Sequence, residues 1–119
     1  MQESLKTFQK YSKEVTESLQ SIDSIKIDDL ANKMFIALKE SNKIIILGNG
    51  GSAANAIHIA GDYMKTFSLL GLKPRISTPF DNLCFLTAAS NDVDYSESYK
   101  IYLDSVLEKS SIVILLSGS

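Results

Sequence analysis

Apolar side chains recur at Leu5, Phe8, Val15, Leu19 and Ile22, at spacings of three, four and seven, with Lys, Glu, Gln and Ser between them. That stripe predicts an amphipathic N-terminal helix. A second helix is expected from a cap at Asp28 or Asp29 to about Ser41, burying Leu30, Met34, Ile36, Ala37 and Leu38, with Asn42 and Lys43 ending it. Residues 44–47 are four apolar residues in a row, three of them β-branched, running into Gly48. Such a run without alternation predicts a strand covered on both faces. A third helix is expected from Ser52 to about Leu70, ended by Gly71 in a left-handed turn. Pro74 and Pro79 bracket a short extended piece. Asp81 or Asn82 can cap a short helix holding Leu83, Phe85, Leu86 and Ala89. A further helix over 96–109 turns Tyr99, Tyr102, Leu103, Val106 and Leu107 inward, and residues 112–116 form another wholly apolar strand.

Strands alternating with helices predict an α/β fold, a three-layer sandwich around a parallel sheet with right-handed crossovers. At 119 residues, one domain is expected, with N-terminal helices over 1–42 and an α/β core over 43–119. The sequence stops just after an apolar strand, inside the turn Ser117, Gly118, Ser119. Three strands with open edges suggest a domain incomplete at its C-terminal side, or one completed by partner chains.

Composition narrows the function classes. Hydrophobic residues make up 45% and charged residues 22%, the balance of a globular domain. The 12 Lys and Arg against 14 Asp and Glu are scattered, leaving no basic footprint for nucleic acid or an anionic membrane. No apolar run approaches the roughly 20 residues of a membrane span, and the N-terminus lacks a secretory signal core, so a cytoplasmic protein is expected. The lone Cys84, among apolar neighbours, reads as a buried structural thiol.

The chemistry concentrates after the first strand. Gly48, Asn49, Gly50, Gly51 and Ser52 join strand to helix. Glycines there allow a tight turn with amides pointing inward, and a helix N-terminus offers free donors and positive potential, so the loop is an anion site on physical grounds. Ser52 would be both cap and phosphate ligand. The alternative is a tight connection that needs Gly for conformation alone. Nucleotide readings fare worse: the third position of a GxGxxG falls on Ala53, and no Lys follows to make GxxxxGK[ST], so no nucleotide cofactor is expected.

In open α/β sheets ligands lie beyond the carboxyl ends of strands, which would set Ser117, Gly118 and Ser119 beside the first loop. Exposed small turn residues are the alternative. His58, the only histidine, and Asp62 stand four apart on the third helix and share a face. They could hold a metal or act as an acid/base couple, or form a solvated pair. Asn91 and Asp92 close the short helix as turn residues that could also reach sugar hydroxyls.

The run IIILGNGGSAANAIHIAGDY, followed by LTAASNDVDY and then VILLSGS, resembles the sugar isomerase (SIS) domain family, and within it the phosphoheptose isomerase branch. The similarity extends from the N-terminal helix to the last residue. It implies a five-stranded parallel sheet, a homotetramer built with the N-terminal helix, and active sites between subunits. It also implies interconversion of sedoheptulose 7-phosphate and D-glycero-D-manno-heptose 7-phosphate for lipopolysaccharide or capsule. Carried over by residue, Asn49, Gly50, Gly51 and Ser52 match the family's first substrate loop, Asn91 and Asp92 its sugar-contacting pair, and Ser117 with Ser119 the start of its phosphate loop. His58 matches a histidine that binds zinc in some members, and the family's catalytic Glu, also a metal ligand, falls on Asp62.

Asp62 is one methylene shorter than that Glu, and a base must come within roughly 2.6 to 3.2 Å of its proton. Gly118 replaces a Thr usual between the two serines. The chain also ends before the helix that gives the family a second acid/base His and a Gln ligand, so these 119 residues alone are expected to be inactive. Two alternatives keep the fold: a phosphosugar-binding SIS regulator without turnover, and an assembly protein resembling the bacterial initiator-associating protein.

Overall fold

The computed structural model describes residues 2–118, so Ser119, assigned to the phosphate loop, lies outside the described residues. The chain divides into two compact units, one reaching to Asn32 and the other starting at Lys33.

The first unit holds helix α1 (Gln2–Gln20) and the beginning of α2 (Ser24–Lys39). The expected stripe is present on α1, but Leu5, Phe8, Val15, Leu19 and Ile22 are all exposed. Helix α2 starts at Ser24, ahead of the expected cap at Asp28 or Asp29. Asp23 makes the start: its Oδ1 accepts from the Ile25 amide at 3.0 Å and its carbonyl accepts from Lys26 and Ile27. Within α2 only Ala37 and Leu38 are buried, whereas Leu30 and Ile36, expected inward, are exposed.

The second unit is the α/β core. Strand β1 (Lys43–Gly48) lies between β2 (Arg75–Ser77) and β3 (Ile112–Leu116), all parallel, in the order β2-β1-β3. Side chains alternate across this sheet. Ile44 and Ile46 point to one face, packed with Ala37, Ala56, Ala60 and Ile76 from α2, α3 (Gly51–Leu69) and β2. Ile45 and Leu47 point to the other, packed with Tyr102, Phe85 and Leu103 from α4 (Leu83–Asp92) and α5 (Tyr95–Val106). Helices on both faces make the expected three layers. Within the described residues the sheet has three strands of the five that the resemblance implies.

Further expectations about burial fail. β3 is an edge strand, and on the α4/α5 face Val113 and Leu115 are exposed while Ile112, Ile114 and Leu116 pack on the opposite face. Cys84 is exposed as well. Helix α4 buries Leu86 and packs Phe85 inward, and a residue two positions from Leu86 sits nearly half a turn away.

The connections follow their local chemistry. Gly71 ends α3 at φ 77°, its amide donating to the Ser68 carbonyl and the Leu72 amide to the Phe67 carbonyl. Asn82 caps α4 by accepting from the Phe85 amide, while Asp81 instead closes a capping box with Thr78 ahead of a 3-10 turn, Pro79–Asn82. Asp94 caps α5, which ends at Val106 and leaves Leu107 exposed.

Candidate functional site

The site is set by the register of the central pair. Gly48 at the end of β1 pairs with Leu116 at the end of β3, so the turn after β1 and the Ser117–Gly118 segment emerge side by side at the carboxyl edge of the sheet. Between them opens a cleft of about 480 Å³ lined by Ser52, Asn55, His58, Ile59, Leu115, Leu116, Ser117 and Gly118. Four of the residues singled out in the sequence converge there: Ser52, His58, Ser117 and Gly118.

Backbone geometry explains the glycines. Gly50 is the N-cap of α3 at φ 55°, ψ −123°, a combination that a residue with a Cβ avoids. Ser52 is therefore not the cap, as expected from sequence; it is the second residue of the helix, and the cap makes no side-chain hydrogen bond. That frees its hydroxyl from the capping role. Part of the expected amide array is internally used: the Ser52 amide donates to the Asn49 carbonyl at 3.0 Å, and the Ala53 and Ala54 amides donate to the Gly50 carbonyl. Among the described residues, no carbonyl accepts from the exposed Gly50 and Gly51 amides, which join the positive end of α3 as the turn's available donors.

His58 and Asp62 share a face of α3, with Nε2 3.2 Å from Oδ2. Asp62 Oδ1 also accepts from Lys65 Nζ at 2.7 Å. The Lys65 hydrogen bond and charge, then the nearby imidazole, hold the Asp62 carboxyl below its ordinary range. Asp62 does not line the cleft at the glycine turn. It lies in an adjoining hollow of about 320 Å³ with Ile59, Tyr63, Thr66 and Phe67, and His58 borders both. As zinc ligands the two supply a pair, short of the three or four donors a zinc site takes, and no group of three metal-binding side chains occurs among the described residues.

Asn91 and Asp92 are exposed at the end of α4, where the Asn91 Nδ2 donates to Asp92 Oδ1 at 3.0 Å, and neither lines the cleft. Two residues that the sequence reading did not assign to the site do touch the glycine turn. The Tyr99 hydroxyl donates to the Gly48 carbonyl at 3.0 Å, and the Tyr95 hydroxyl lies 2.8 Å from Asn49 Oδ1 and 2.8 Å from the Tyr99 hydroxyl. Their i,i+4 spacing on α5 was visible, but nothing in the sequence indicated which loop they would meet.

Residues 7–119 match the SIS domain family. Among curated relatives, the phosphoheptose isomerase of Thermodesulfovibrio yellowstonii is 40% identical over 95 residues, a span of 78% of this chain and 46% of that protein. The phosphoheptose isomerase of Geobacter metallireducens is 30% identical over 121 residues, 100% of this chain and 63% of that protein. The chain thus spans about half the length of the curated relatives it matches. In fold it is similar to the solved phosphoheptose isomerase of Neisseria gonorrhoeae, with a TM-score of 0.84 at 22% identity over 99% of this chain and 61% of that one.

Proposed function

This chain belongs to the SIS domain family, and we propose that it forms the phosphosugar-binding part of a phosphoheptose isomerase that interconverts sedoheptulose 7-phosphate and D-glycero-D-manno-heptose 7-phosphate in heptose supply for lipopolysaccharide or capsule. The observation that carries this reading is the meeting of Ser52, His58, Ser117 and Gly118 on one cleft at the carboxyl edge of the sheet. Hydroxyls of Ser52 and Ser117, the Gly50 and Gly51 amides and the N-terminus of α3 make an anion cradle. Ser119 and, on the sugar, Asn49, Asn91 and Asp92 complete the proposed contacts.

The reaction moves a hydroxyl proton from one oxygen to its neighbour and a carbon-bound proton from one carbon to the next. The carbon-bound proton leaves the carbon beside the carbonyl as the carbonyl oxygen is protonated, giving an enediol; it returns to the neighbouring carbon as the other hydroxyl loses its proton, so no oxidant or nucleotide is required. We assign the proton transfer to Asp62, with His58, on the border of both hollows, orienting the sugar. The Lys65 pair keeps Asp62 ionised and ready to accept, while weakening it as a base. Zinc at His58 and Asp62 would need donors beyond this pair. The protein we picture is a cytoplasmic homotetramer using the N-terminal helix in assembly; no described helix is long and apolar enough to cross a membrane.

A second reading, a phosphosugar-binding regulator without turnover, is favoured by the short Asp62 side chain and its pairing with Lys65. Incubation of the whole protein that contains this chain with sedoheptulose 7-phosphate, followed by chromatographic detection of the aldose product, separates them. Product supports the isomerase, binding without product supports the regulator, and absence of both overturns the phosphosugar reading.

A further inference from the structure

Three close oxygen contacts at the glycine turn share too few protons. Tyr99 Oη lies 3.0 Å from the Gly48 carbonyl, Tyr95 Oη 2.8 Å from Tyr99 Oη, and Tyr95 Oη 2.8 Å from Asn49 Oδ1. Two neutral phenols carry two protons for these three contacts. The Tyr99 hydroxyl stays protonated well past the usual phenol range, through burial first and then the Tyr95 hydrogen bond. The Gly48 carbonyl can only accept, so it takes the Tyr99 proton. The Tyr99 oxygen then accepts from Tyr95, and Tyr95 has nothing left to donate to Asn49. An amide oxygen facing that phenol would set lone pairs against lone pairs.

Turning the Asn49 carboxamide by half a turn removes the conflict. An Asn presents an oxygen acceptor on one side and an NH2 donor on the other, nearly identical in size. We propose that Tyr99 and Tyr95 form a one-way donor chain from Asn49 Nδ2 through Tyr95 and Tyr99 to the Gly48 carbonyl, which fixes Asn49 as a hydrogen-bond acceptor for a sugar hydroxyl. The outward oxygen repels a phosphate and accepts from an O–H, so Asn49 reads the sugar, while the anion belongs with Ser52 and Ser117. The sugar end of this inference rests on the phosphosugar reading. The amide orientation stands on the proton count alone. Tyr95 and Tyr99 are positioning residues here, acting through Asn49.

Two readouts test it on the intact chain. In ¹⁵N-edited spectra the Asn49 side-chain NH2 is expected to exchange slowly with water, and Tyr95→Phe is expected to speed that exchange at least tenfold. Tyr99→Phe, which touches no atom of Asn49, is expected to shift the same resonance, because one Tyr95 proton then serves Asn49 in either orientation. An Asn49 NH2 signal indifferent to both variants overturns the donor chain, and this holds whether or not any ligand binds. By calorimetry, Tyr95→Phe should weaken sedoheptulose 7-phosphate about tenfold and leave inorganic phosphate unchanged. Equal losses for both ligands, or no loss for either, overturn the assignment of Asn49 to the sugar. A wild-type chain that binds neither ligand instead overturns the phosphosugar reading and with it the sugar assignment, while the amide signal still decides the donor chain.

Discussion

A methyl group on Gly48 would sit 2.4 Å from both the carbonyl carbon and the oxygen of Ser52, and 2.8 Å from the Ala53 amide nitrogen. The end of β1 and the first turn of α3 touch backbone to backbone. No flexible side chain can yield there, so Gly48→Ala must move the helix start away from the strand. We expect a loss of about 1–3 kcal/mol or more, the usual cost of overpacking a rigid site. Gly51→Ala is the control: nothing lies within 4 Å of its added carbon, and at the first position of the helix it should be neutral or stabilising by up to about 1 kcal/mol. Urea denaturation of the two variants checks the contrast.

Ser52 lines the cleft at the carboxyl edge of the sheet without serving as the helix cap. Its hydroxyl can therefore be removed without unmaking α3. Ser52→Ala is expected to weaken phosphosugar binding by about 1–3 kcal/mol, the loss typical of a hydrogen bond to a charged group, while the melting temperature stays near that of the wild type. Calorimetry with sedoheptulose 7-phosphate measures the first, and unchanged affinity would remove Ser52 from the anion cradle.

Lys65 dominates the electrostatics of Asp62, ahead of His58. The pair is exposed, so its effect is on titration more than on stability. A carboxyl lowered in the folded state contributes above its unfolded value and loses that contribution as pH falls through the folded value, so the effect is confined to the acid side, at and below the ordinary 3.8. Lys65→Met should raise the Asp62 midpoint toward 3.8, and His58→Ala should raise it less. Carboxyl-detected NMR titration gives both, and a larger shift from His58→Ala would reverse the assignment of the dominant partner.

The sequence made most elements legible because glycine, proline and Asx residues mark their ends: Gly71, Asn82 and the Pro74–Pro79 bracket all fall where expected. The start of α2 was not legible, since Ile25 and Ile27 are exposed and give no periodic signal to betray the turn that Asp23 begins. Ser52, His58, Ser117 and Gly118 could be picked out by residue type, yet the cleft they share depends on the pairing of Gly48 with Leu116. Tyr95 stayed hidden for the same reason. Its partner, Asn49, lies 46 positions away, and no local pattern encodes that contact.

Strands β1 and β3 look alike in sequence, each an uninterrupted apolar run, yet they occupy different places in the sheet. The order β2-β1-β3 puts β1 in the centre, with Ile46 fully buried, and leaves Leu115 on β3 71% exposed on the face that α4 and α5 cover over β1. Equal hydrophobicity should therefore carry unequal weight. Ile46→Ala is expected to cost about 2–5 kcal/mol, as a cavity in a packed core. Leu115→Thr removes apolar bulk from a position already in water, places a β-branched side chain on the strand, and should change stability by no more than about 0.5 kcal/mol. Denaturant midpoints of the two variants measure the difference directly. Comparable losses would mean that Leu115 is covered in solution, and a concentration-dependent midpoint for the wild type would then trace that cover to a second copy of the chain.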